Sequence, residues 1–151
     1  MTKTGHINVQ GGLYVQPDTK VGGIAIRAHA IAARGVSPTD AWIESLEETY
    51  SSSQLQNQLQ HSCPKWTFGV LCNQGVLRDV PAGSCEASDR TRSGEFTLRA
   101  LELIREDRSL LVDKRELKRR VFGSPGSPGY RTPNHEVEVL LGLWQAELLL
   151  V

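Results

Sequence analysis

The sequence predicts an all-α fold: a compact bundle of about six short helices behind an N-terminal segment that forms either a β-hairpin or an arm. Three observations carry this prediction. Apolar residues recur at helical spacing from Gly22 onward. Capping residues and Gly/Pro breaks punctuate those stretches. The connectors are short, as in one all-α domain spanning 22–151, with 1–21 as the arm.

Within the arm, Ile7-Asn8-Val9-Gln10 and Leu13-Tyr14-Val15-Gln16 flank Gly11-Gly12, a two-residue hairpin signal. Pairing across that turn sets Val9 opposite Tyr14 and Asn8 opposite Val15. Each face would then mix polar with apolar residues, which specifies register weakly.

The first helix places Ile24, Ala28 and Ile31 on one stripe and closes at Gly35, a natural C-cap. Ser37-Pro38-Thr39-Asp40 then opens a second helix, with Ser37 as N-cap, Pro38 at the first turn and Asp40 at the box position. That helix runs to about Tyr50 with Trp42, Ile43, Leu46 and Tyr50 inward. Asp40, Glu44, Glu47 and Glu48 face water, too exposed for catalytic carboxylates. Residues 51–60, SSSQLQNQLQ, read as a frayed continuation or connector.

A third helix begins at Cys63, placed as N-cap, and closes near Gly75 with Phe68, Leu71 and Cys72 inward. Residues 76–92 look irregular. The next helix, about 93–107, buries Phe96, Ala100, Leu103 and Ile104. A short one follows from the box-like Asp113-Lys114-Arg115-Glu116 to Gly123. GSPGSPGYRTP breaks the chain. The last helix starts near Thr132-Pro133 with Val137, Leu140, Leu141, Trp144 and Leu148 on its main stripe. Val139, Leu143 and Leu150 lie off that stripe, so this helix is either central to the bundle or half of a homodimer interface.

Composition bounds the function. With 151 residues, 39% apolar and 23% charged, the chain is neither disordered nor fibrous. Seventeen basic residues balance seventeen acidic ones, which excludes a whole-protein basic field for nucleic acid or membrane. No stretch has signal-peptide character, and the longest apolar run, Leu148–Val151, falls far short of the ~20 residues of a membrane span. Three cysteines, an odd count without scaffold spacing, point to a reducing cytoplasmic setting.

CPKWTFGVLCNQGVL, the upstream Gly-Val-Ser-Pro-x-x-Ala-Trp and the closing Asn-His…Leu-Gly-Leu-Trp resemble an uncharacterised family of small bacterial proteins with a Cys-Pro-Lys…Phe…Gly-x-Leu-Cys core. The match covers residues ~22–147, leaving the arm and the Ser-Pro-Gly repeat as peculiarities of this chain. The resemblance implies a bacterial, cytoplasmic, all-helical protein, with a mobile gene cassette as a source such families often have. It implies no activity.

Two clusters could carry chemistry. Cys63 at a helix N-terminus, with His61 two residues upstream and Lys65 nearby, fits a thiolate nucleophile, with His61 or His135 as base. The competing reading makes Cys63 a packed or capping residue. The second cluster is Lys114, Arg115, Lys118, Arg119 and Arg120. With Tyr130 and Arg131 it could form a phosphate- or partner-binding face. Neutralisation by the acidic face of the second helix is the alternative. No metal site is expected: Cys63 and Cys72 face opposite ways across about 13 Å of helix rise, and His61, Cys63 and Cys85 lack a zinc spacing. His29 reads as packed. The glycine-rich stretches match no cofactor loop. The function reading is thus a non-enzymatic helical binding protein, meeting a protein partner, a second copy or nucleic acid. The alternative is a small cysteine-dependent enzyme.

Overall fold

The computed structural model describes residues 6–9, 12–15, 19–85 and 89–151. The fold is all-helical. After two short strands, β1 (His6–Val9) and β2 (Gly12–Val15), come α1 (Lys20–Ala32), α2 (Pro38–Thr49), α3 (Ser52–Gln60), α4 (Cys63–Asn73), α5 (Arg92–Glu106), a 3-10 turn (Arg108–Val112), α6 (Lys114–Phe122) and α7 (Glu136–Gln145). No helix among the described residues is long and apolar enough to cross a membrane.

β1 and β2 pair antiparallel, with His6 opposite Val15, Ile7 opposite Tyr14 and Val9 opposite Gly12. This corrects the register read from the sequence, in which Val9 stood opposite Tyr14 and Asn8 opposite Val15. Faces of mixed polarity leave little to oppose such a slip.

Side-chain caps set most helix starts. Thr19 Oγ1 accepts from Gly22 N at 3.0 Å, so α1 begins two residues ahead of the expected Gly22. Ser37 Oγ accepts from Asp40 N at 3.2 Å, as its position in the sequence predicts. Thr91 and Asp113 cap α5 and α6 in the same way. Two further starts differ from expectation. Cys63 is the first helical residue of α4 rather than its cap, which is Ser62. α7 begins at Glu136, preceded by His135 in a left-handed conformation (φ 72°) rather than by a helical turn from Thr132-Pro133. Residues 52–60 form a helix of their own, not a frayed extension, because Tyr50 leaves α2 with extended backbone.

α7 is the hub. It packs against α1, α4, α5 and α6, and every residue from Glu136 to Leu143 is buried. The central role its apolar faces suggested is filled by the chain's own helices, which bury Val139 and Leu143, while Leu150 beyond the helix is exposed. At the α1–α7 crossing, a Cβ on Gly142 would lie 2.7 Å from Gly22 Cα, so the two backbones touch. Trp42 packs on Phe68 with ring centroids 5.7 Å apart, linking α2 to α4. Phe96 and Phe122 meet edge to face at 4.7 Å between α5 and α6.

Several buried polar groups find partners. Ser45 Oγ donates to Ile24 O at 2.8 Å, and Thr97 Oγ1 bridges Thr67 Oγ1 and Ser93 O. His29 Nε2 lies 2.6 Å from Arg78 O; a carbonyl only accepts, so this nitrogen carries the proton. His29 is a packed residue tying α1 to the segment after α4.

Candidate functional site

The basic cluster predicted from the sequence lies on α6 but is divided among partners. Asp113 caps the helix and fixes its phase, which buries Leu117 and Phe122 and turns the charged residues outward. Lys114 Nζ and Lys118 Nζ both reach Glu138 Oε2 on α7, at 2.9 and 2.6 Å. Glu138 is 7% exposed. Burial pushes its carboxyl up, yet the hydrogen bonds and positive charges of the two lysines together outweigh burial and hold it below the usual carboxylate value. Its Oε1 is buried without a hydrogen-bond partner among the described residues.

Arg119 and Arg120 belong to Glu116. Arg119 donates to both Glu116 oxygens, at 2.8 and 2.6 Å, and Arg120 Nε adds a third bond at 2.9 Å. Together they draw the Glu116 carboxyl down to about 2. Arg120 also sits 3.8 Å from Asp107. Arg115 alone in the cluster has no ion-pair partner among the described residues. The acidic face of α2 plays no part; its Glu48 is held instead by Arg27, at 2.6 and 3.0 Å. The neutralisation anticipated from α2 thus comes from α7 and from α6 itself, since helix packing sets Glu138 across from the lysines.

A groove of about 530 Å³ runs beside this helix. Its cations are Arg115, Lys118 and Arg119, set against the carboxylates of Asp113 and Glu116. Phe122, Tyr130, Pro125 and Pro133 provide apolar walls. Gly123 (φ 89°) turns the chain back, and Arg131 N donates to Phe122 O at 2.9 Å; this folds the Ser-Pro-Gly loop over the helix end and brings Tyr130 against Gly123. Of the predicted partner-binding set, the groove therefore gathers Arg115, Lys118, Arg119 and Tyr130. Lys114, Arg120 and Arg131 lie outside its lining.

The predicted catalytic set is divided differently. His61, at the end of α3, and His135, before α7, line one cavity of about 220 Å³, although 74 positions separate them in sequence. Cys63 does not line it; Pro64 does. Cys63 is half-buried, and Cys72 is fully buried on the opposite side of α4. Burial, with a smaller contribution from the Cys85 thiol, pushes the Cys72 thiol far above its ordinary value. Among the described residues, no three His, Cys, Asp or Glu side chains come together in a way that could hold a metal ion.

Sequence reasoning missed Glu138, Phe122 and the two prolines of the groove. The available signal for Glu138 was a carboxylate inside the otherwise apolar run Val137–Leu141, where burial demands a cationic partner.

Comparison with curated proteins found no match, and comparison with solved structures found none. Residues 19–150, from the α1 cap to the segment after α7, match the model of a family described as Family of unknown function (DUF6979). With nearly the whole helical bundle inside that match, the chain belongs to this family of unknown function.

Proposed function

We propose that this is a non-enzymatic binding protein whose working surface is the α6 groove, and that the groove receives an acidic, aromatic-bearing segment of a partner protein. One observation carries the reading: Arg115, a cation without an ion-pair partner among the described residues, stands on a groove walled by Phe122, Tyr130 and two prolines. A carboxylate can meet Arg115 while an apolar side chain enters between the rings. Nucleic acid fits less well. Four of the five clustered cations are already engaged by Glu138 and Glu116, leaving too little free charge to replace a phosphate's counterions. A second copy docked through α7 fits less well too, since that helix is enclosed. The cysteine-enzyme alternative gains no support from a cavity that joins both histidines without the thiol. Three free cysteines support a cytoplasmic setting.

The test is an amide-resonance titration of the labelled protein with a synthetic Asp/Glu/Phe peptide and, separately, with oligo-dT. The peptide is expected to shift Arg115, Phe122 and Tyr130, and R115E to weaken it by about tenfold or more, as loss of one charge-assisted contact implies. Oligo-dT binding with a steep salt dependence, or peptide binding indifferent to R115E, would overturn the reading. Rapid selective alkylation of native Cys63 would favour the enzyme instead.

A further inference from the structure

α3 is built unlike the other helices. None of its nine residues is buried, whereas every other helix buries at least two, and like α4 and α7 it has no side-chain cap at its start. Its semi-apolar edge, Leu55, Gln58 and Leu59, sits at i, i+3 and i+4, with the two leucines resting on the core. Beneath that edge are hollows. The cavity of about 220 Å³ and an adjoining one of about 80 Å³ share Trp42, Leu46, Gln58 and His61. A helix spanning empty volume forgoes the dispersion contacts a packed core would give it.

The larger cavity has two chemically distinct ends. Its buried lining is apolar: Ile24, Trp42, Leu46 and Pro64. Its exposed residues are His61 and His135, with Gln58 and Tyr50 half-buried beside them. Lys20 Nζ lies 4.3 Å above the Tyr50 ring, adding a cation next to this rim. Among the described residues, no carboxylate lines the cavity. His135 is held at φ 72°, a conformation uncommon for a residue with a side chain.

From this we infer a second binding site, separate from the α6 groove, for a small apolar carboxylate: the hydrocarbon body lies on Trp42 beneath α3, and the carboxylate accepts N–H bonds from His61 and His135. Each imidazole can donate an N–H whether neutral or charged, so the pair suits an oxygen-rich head; Lys20 near the rim, with no carboxylate among the described lining residues, disfavours an ammonium. The volume limits the body to about one ring or a short chain. α3, the least anchored helix, is the element that moves to admit it.

Phenylacetate and phenethylamine, which share a body and differ in head group, are the probes. Titrated into the full chain, phenylacetate is expected to shift the Trp42 indole N–H and both histidine rings, and phenethylamine to bind at least about tenfold more weakly. In the double variant His61→Ala/His135→Asn, phenylacetate affinity should fall by about tenfold or more; asparagine tolerates the left-handed backbone at 135. Circular dichroism and the thermal midpoint establish that the variant is folded. Equal affinity for both probes, an unaltered affinity in the folded variant, or no response at Trp42 at millimolar phenylacetate would each overturn the site. The head-group comparison uses the unaltered protein and decides the matter even if the variant does not fold.

Discussion

At the scale of single residues, two positions show how contact distance and burial decide an outcome that composition cannot. Gly142 meets Gly22 backbone to backbone, and an added methyl group would stand 2.7 Å from a Cα atom that no rotamer change can move. Helix propensity favours Gly142→Ala by about 1 kcal/mol, whereas forced separation of two packed helices costs about 2–3 kcal/mol. A net loss of about 1–2 kcal/mol is expected from urea unfolding, and a stabilised variant would refute the tight crossing. Cys72 is fully buried, and the rise in its thiol pKa leaves almost no thiolate to react. Mass spectrometry after iodoacetamide treatment of the native protein should find Cys72 unmodified, with labelling only once denaturant is added. Native-state labelling would mean that the α4 core opens readily.

Helices differ in what holds their ends, and the differences are measurable. Asp113 and Ser37 accept backbone N–H bonds at the starts of α6 and α2. Replacing either with alanine should lower stability by about 1 kcal/mol. Ser51, before α3, makes no such bond; its hydroxyl meets Ser53 and Gln54 side chains in solvent. Ser51→Ala should therefore stay within about 0.5 kcal/mol of the parent. Parallel urea titrations of the three variants separate the cases, and a loss at Ser51 equal to that at Asp113 would contradict the weak anchoring of α3. Asp113→Ala should also weaken peptide binding, because the same cap sets the phase that presents Arg115 to the groove.

For the molecule as a whole, charge placement predicts how acid unfolds it. Glu138, Glu116, Glu48 and Asp107 all have carboxyls lowered in the folded state, by lysine, arginine or serine partners. A native value below the unfolded one means that the folded form prefers the ionised carboxylate. The stabilisation is therefore complete above the unfolded value of roughly 4.3, and it is lost as pH falls through the lower native values. Thermal midpoints should hold steady from neutrality to about pH 5 and drop below it. Glu138 contributes most because it is mostly buried, while the exposed pairs are screened by water. In Glu138→Gln the acid slope should be shallower and neutral-pH stability lower by about 1.5–3 kcal/mol, the worth of charged hydrogen bonds. An unchanged slope would show that the lysine bridges add nothing.

Local pattern was enough to reveal the all-helical class, the caps at Ser37 and Asp113, the inward set Phe68, Leu71 and Cys72, and the outward acidic face of α2. Each depends on residues within a few positions of one another, where spacing dictates which side chains share a face. α3 escaped because SSSQLQNQLQ has only two leucines to mark its half-buried edge. The α7 start escaped because His135 takes a backbone conformation that its residue type does not demand. The partners of the α6 cations, the groove beside Tyr130 and the cavity that joins His61 to His135 while omitting Cys63 all arise where segments distant in the chain pack together. Contacts across such separations follow from how whole faces fit, and one-dimensional spacing carries no record of them.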